Sequence, residues 1–156
     1  MKKFFTALLC LLILCTPLTA HAEAAPEIVS ETAVVIDAAT GQILYDKNMN
    51  RQMYPASITK VLTGLLAMEN GNLSDTVTVG ETAVEGIDGS VSYIALHPGE
   101  EISLEGLMYG LAIESANDAA NAIAEHISGS ISSFRDLMNS RAAQAGAKNS
   151  HFENPN

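Results

Sequence analysis

Ser57-Ile58-Thr59-Lys60-Val61-Leu62-Thr63-Gly64-Leu65-Leu66-Ala67-Met68-Glu69 is the stretch whose pattern decides how this chain folds. Ile58, Val61, Leu62, Leu65, Leu66 and Met68 recur at the helical period and form a broad apolar face, which predicts a helix packed into a core. Pro55 stands just ahead of it, where a fixed φ and a missing N–H do no harm. Asn70-Gly71-Asn72 stops it. Ser57 and Lys60, three residues apart at its start, fall on one face a turn apart.

On the N-terminal side, Thr32-Ala33-Val34-Val35-Ile36-Asp37 and Gln42-Ile43-Leu44-Tyr45-Asp46 are short β-branched and apolar runs. Ala38-Ala39-Thr40-Gly41 between them supplies turn residues, so a β-hairpin is expected. Asp37 and Asp46 flank it in structural positions, and Glu23 to Ser30 reads as a flexible leader. On the C-terminal side, Thr76 to Val79 reads as a strand, and Gly80 to Gly99 as a structured loop rich in Gly and Ser. Helical patterning returns over Ser103–Ile113, Ala119–Ile127 and Ser132–Ala145, the last closed by Gly146. Ser115-Ala116-Asn117-Asp118 falls in the break between the first two. Strands followed by helices give a mixed class, α/β in the broad sense and α+β in arrangement.

The chain has 156 residues, enough for one domain or part of one. Eight Lys and Arg stand against 18 Asp and Glu, and the net charge of −10 argues against a nucleic-acid partner, which needs a basic face. Hydrophobic residues make up 47%, which argues against a disordered chain. Met1-Lys2-Lys3, the apolar run Phe4 to Cys15 and Ala20-His21-Ala22 have the layout of a secretory signal peptide over residues 1–22. Its apolar run falls well short of the ~20 residues a membrane span needs. Cys10 and Cys15 both lie in the removed part, so the exported chain, 23–156, has no disulfide available and no cysteine for a metal. His97, His126 and His151 lack ligand spacing. No cofactor or metal is implied. Tyr45, Tyr54, Tyr93 and Tyr109 read as packing residues, and Gly64 as a point of close helix contact.

Two polar clusters carry chemistry. A serine hydroxyl is a poor nucleophile until something takes its proton. Lys60 can do so for Ser57 only when neutral, which for an amine of ordinary pKa ~10.4 requires desolvation or a second positive charge nearby. A serine opening a helix also places a backbone N–H where an oxyanion could form. In the second cluster, Ser115 and Asn117 are two apart and would point in opposite directions on a continuous helix. They share a cleft only from a loop. A serine can relay a proton, and an asparagine amide both donates and accepts, which suits a bound peptide group.

Ser-x-x-Lys followed by Ser-x-Asn resembles the penicillin-binding proteins and serine β-lactamases. More narrowly, the chain is similar to the low-molecular-mass D-alanyl-D-alanine carboxypeptidases of the peptidase S11 type. The stretches Ala33–Gly41 (AVVIDAATG), Arg51–Lys60 (RQMYPASITK), Ser90–Gly99 (SVSYIALHPG), Gly110–Ala120 (GLAIESANDAA) and Phe134–Pro155 carry this likeness. It covers essentially all of residues 23–156. The resemblance implies a β-lactamase/transpeptidase-like fold, a sheet flanked by helices, incomplete at the C-terminus. It implies catalytic roles for Ser57 as acylated nucleophile, Lys60 as its proton acceptor and Ser115 as proton donor to the leaving D-alanine. Asn117 would bind the substrate amide.

The implied substrate is the peptidoglycan stem peptide, with β-lactams as covalent inhibitors, on the outer face of the cytoplasmic membrane or in the periplasm. Relatives often attach to the membrane through a C-terminal segment. Ala116 departs from the Gly usual between Ser115 and Asn117. No Lys-Thr-Gly or His-Thr-Gly occurs in the 156 residues, so the chain is expected to be an N-terminal fragment without turnover by itself. Two other readings compete: a serine β-lactamase, and a non-catalytic wall-binding protein of the same fold.

Overall fold

In the computed structural model, residues 26–156 are described; the signal peptide expected over 1–22 lies outside them. The chain divides after Arg51 into two compact units.

In the first unit, β1 (Ala33–Ile36) and β2 (Ile43–Lys47) pair antiparallel, with Ala33 opposite Lys47 and a register irregularity at Val35/Ile36. The expected hairpin is there. Its turn is closed by Asp37, whose carboxylate accepts from the Thr40 hydroxyl (2.7 Å) and from the backbone N–H groups of Thr40 (2.7 Å) and Ala39 (3.1 Å). These bonds, the Thr40 hydroxyl foremost, hold the Asp37 carboxyl below its ordinary pKa. Gly41 completes the turn at φ +73°, a conformation glycine adopts without penalty. The expected leader is not loose throughout. Lys47 Nζ donates to the Ile28 carbonyl at 2.6 Å, and just after the leader Arg51 pairs with Glu31 at 2.7 Å.

The second unit, Gln52–Asn156, is helical with one small sheet. A 3-10 turn, Ala56–Ile58, leads into α1 (Thr59–Asn70). Then follow β3 (Thr76–Thr78), α2 (Glu81–Val84), β4 (Glu101–Ser103), α3 (Leu104–Ile113), α4 (Asn117–Ser128) and α5 (Ile131–Gln144). β3 and β4 pair antiparallel with Val77 opposite Ile102. The short α2 falls where a loop was expected, and β4 lies just after that loop, ending at Ser103 where a helix was expected to begin.

α4 is the centre of this unit and packs against α1, α2, α3, α5 and β3. Ala119, Ala120, Ala122 and Ala124 are buried along it. Alanine has the best helix propensity and the shortest side chain, so neighbours can close in on every side. One core cluster gathers Ala119, Ala120 and Ala122 with Leu104, Leu107, Leu111 and Ile123; a second joins Leu66 and Ala124 to Phe134 and Met138. α5 ends in a left-handed glycine cap: Gly146, at φ +86°, donates to the Ala143 carbonyl and Ala147 to the Ala142 carbonyl.

The apolar face expected of α1 needs correction. Thr59, Lys60, Thr63, Leu66 and Ala67 are buried, whereas Ile58 and Val61 are 71% and 73% exposed and Leu65 and Met68 are also exposed. The buried polar groups are satisfied. Thr63, for instance, donates its hydroxyl to the Pro155 carbonyl at 2.6 Å. The C-terminal segment is held likewise by Asn139, which exchanges two bonds with the Phe152 backbone (2.8 and 2.9 Å). Tyr54, Tyr93 and Tyr109 stand exposed rather than packed.

Candidate active site

Ser57 sits in the 3-10 turn ahead of α1, not within the α-helix itself. The residue before it, Ala56, has φ +49°, a left-handed conformation rare for a residue with a Cβ. Such strain is held only where the surrounding chain imposes it. Ser57, next in the chain, is exposed. Lys60 follows in the first turn of α1 and is only 6% exposed. Its Nζ donates to Ser57 Oγ at 3.2 Å, so the three-residue spacing does bring the two side chains together.

Among the described residues no carboxylate lies within ion-pair distance of Lys60. Burial therefore acts on this ammonium without a compensating anion, and it pushes the Lys60 pKa below the ordinary lysine value. The bond reverses when the proton is lost. An ammonium donates to the hydroxyl oxygen, but a neutral amine accepts the hydroxyl proton and leaves the oxygen ready to attack.

Ser115 lies in the bend between α3 and α4 at φ +54°, left-handed like Ala56. The Gly110 carbonyl accepts from both Glu114 and Ala116 N–H groups (3.2 and 3.1 Å), closing α3 and turning the chain at Ser115. Ser57, Lys60 and Ser115 line one cleft of about 370 Å³, together with Val61, Gly64, Met108, Leu111 and Ala112. Gly64 is the close contact of α1 with α3. A Cβ there would sit 3.4 Å from both Leu111 Cδ2 and Met108 Cε.

Asn117 is placed differently from the expectation. It is the first residue of α4 rather than a loop residue, its side chain is half-buried, and it is not among the residues lining the cleft. Its backbone N–H donates to the Ser92 carbonyl at 2.8 Å. Ala116, in the position between, is fully buried, so a small side chain is what fits there. His97, His126 and His151 are exposed; His126 lies 3.2 Å from Asp75 and His151 2.9 Å from Glu153. One residue the sequence reading passed over is Asp118, buried beside Asn117 and bonded to the Ile94 and Leu96 N–H groups. Its only local signal is an acidic residue in a first helical turn.

The family model for D-alanyl-D-alanine carboxypeptidase, peptidase S11, matches residues 19–156. The chain is 44% identical over 131 residues to the D-alanyl-D-alanine carboxypeptidase DacF of Bacillus subtilis, covering 81% of this chain and 33% of that protein. Among solved structures it is similar to the D-alanyl-D-alanine carboxypeptidase DacD of Francisella tularensis, with TM-score 0.81 and 32% identity. That match covers 92% of this chain and 35% of the other. Penicillin binding protein 5 of Haemophilus influenzae gives TM-score 0.78 and 34% identity over 86% of this chain and 40% of that one. The chain spans about a third of the length of the curated relatives it matches.

Proposed function

The chain belongs to the peptidase S11 D-alanyl-D-alanine carboxypeptidase family, and from that premise we propose that it supplies the acyl-transfer machinery of a serine carboxypeptidase of the cell envelope. The substrate is a peptidoglycan stem peptide ending in D-alanyl-D-alanine. Ser57 Oγ attacks the carbonyl carbon of the penultimate residue while its proton passes to Lys60 Nζ. The tetrahedral intermediate collapses with cleavage of the C–N bond, and Ser115 relays a proton to the departing D-alanine amine. Water then hydrolyses the Ser57 ester. Asn117 binds the substrate amide from the start of α4. β-Lactams enter the same route as far as the ester, and export by the segment 1–22 delivers the protein to the outer face of the membrane. Attachment to the membrane through a segment beyond residue 156 is part of the same proposal.

One observation carries this reading: a lysine 6% exposed, without a partner carboxylate among the described residues, with its Nζ 3.2 Å from a solvent-facing serine hydroxyl. A lysine serving only as a surface charge has no reason to be buried there. The test belongs to the full-length protein, because the 156 residues contain no Lys-Thr-Gly. Incubated with a stem-peptide analogue, it should release D-alanine, and Ser57→Ala should abolish release. Rapid turnover of penicillin without D-alanine release would replace this reading with a β-lactamase. Neither activity, with no covalent labelling by penicillin, would leave a binding protein of the same fold.

A further inference from the structure

Asp118 is 1% exposed, and among the described residues no cation pairs with it. A buried carboxylate without a counter-charge is tolerated only when its lone pairs are filled by donors. Ile94 N–H donates to it at 3.1 and 3.2 Å, shared between Oδ1 and Oδ2, and Leu96 N–H donates to Oδ2 at 3.0 Å. Ala119 N–H, in its own helix, donates to Oδ1 at 2.9 Å. Hydrogen bonds to an ionised acceptor are stronger than neutral ones.

Two of these three donors come from a segment more than 20 residues upstream. Ala95, between them, is left-handed at φ +59°, and that turn aims the neighbouring N–H groups at one carboxylate. The segment is fastened a second time where Asn117 N–H donates to the Ser92 carbonyl at 2.8 Å. Ile94 also fills the space beside Gly110, where a Cβ would come within 2.8 Å of Ile94 Cδ1. Gly110 is the residue whose carbonyl holds the turn at Ser115. Left-handed Ala95 and left-handed Ser115 are unfavourable taken alone and persist where several contacts over-determine them.

Resting on the proposed acyl transfer, we infer that Asp118 is a positioning residue for it: the carboxylate clamps Ser92–Leu96 against the start of α4 and so holds the Ser115-Ala116-Asn117 bend, with Ser115 in the cleft beside Ser57 and Lys60. The residue type is specific. Only a carboxylate presents acceptors alone to three N–H donors. An asparagine turns an NH2 group towards one of them, and a glutamate moves the carboxylate outward by a methylene.

The test compares full-length wild type, Asp118→Asn and Asp118→Glu. A fluorescent penicillin gives both the end-point stoichiometry of labelling and the acylation rate. Hydrogen exchange reads the amides of Ile94 and Leu96. The expected result is near-complete end-point labelling in both variants, an acylation rate at least tenfold slower, and faster exchange at those amides. A residue that only supports the fold would lower the labelled fraction and leave the rate of the folded fraction unchanged. Acylation within twofold of wild type in both variants overturns the proposal. Failure of both variants to fold overturns it as well, by making Asp118 a determinant of the fold. A wild-type protein that takes no label sinks the proposed function and this inference with it; labelled wild type with equally fast variants sinks the inference alone.

Discussion

Lys60 and Ser57 are three residues apart, yet what makes them a pair is burial of the one and exposure of the other. Burial alone lowers the Lys60 pKa, and the sign has two consequences. Between the lowered folded-state value and the ordinary lysine value, the unfolded chain binds the proton more strongly than the folded one, so this residue's contribution to stability rises with pH. Over the same window the amine becomes able to accept the Ser57 proton. In the full-length protein, acylation by a penicillin should therefore rise with pH along a limb centred below the ordinary lysine pKa. Lys60→Met should slow acylation by about 10²–10⁴-fold, the range of a lost general base, without lowering the thermal midpoint. An ascending limb at the ordinary lysine value would contradict this. The pairing of Ser57 with Lys60 is legible in the sequence because helical spacing is local. The left-handed backbone at Ala56 and Ser115 is not, because neither Ala nor Ser signals that conformation as Gly, Asn or Asp would.

Elements show where periodicity informs and where it stops. It locates α1, α3, α4 and α5 to within two residues, and the hairpin to within one at either end. It does not say which side of α1 meets the rest of the unit. Its core-facing positions include Thr59, Lys60 and Thr63; Lys60 bonds to nearby Ser57, but the Thr63 hydroxyl finds its partner far off in sequence, at the Pro155 carbonyl. β4 has three residues, too few to show alternation, and owes its existence to pairing with β3 some 25 residues earlier. Asp118 escapes notice for the same reason. Its donors lie on another segment. Close approach at the element scale is clearest at Gly71, after α1. A Cβ there would come within 2.6 Å of Leu104 Cδ2 and 2.8 Å of Ile127 Cδ1, and Leu104 is fully buried. Gly71→Ala should cost about 1–3 kcal/mol by overpacking, read as a lower denaturation midpoint at unchanged slope. A neutral result would mean that Leu104 and Ile127 repack freely.

At the scale of the whole molecule, the helical unit carries the Ser57, Lys60 and Ser115 cleft at the meeting of α1 with the α3–α4 bend, on a core built around α4. Glu69 and Arg141 join the far ends of α1 and α5 through paired bonds of 2.9 Å, each shifting the other's pKa toward the charged form. The outer face of α1 and the exposed Tyr109 and Ile113 of α3 leave considerable apolar surface open in these 156 residues. The fold class and the family were legible because several separate stretches matched in the right order. The hydrogen-bonded clamp behind the bend was not, since no local pattern encodes a contact between segments. The claim on which the rest depends is that Ser57 is the acylated residue. Mass spectrometry of the full-length protein after reaction with penicillin tests it most directly. The adduct should map to the peptide bearing Ser57, at one per molecule, and vanish in Ser57→Ala; an adduct on any other residue, or none in the folded wild-type protein, would contradict it.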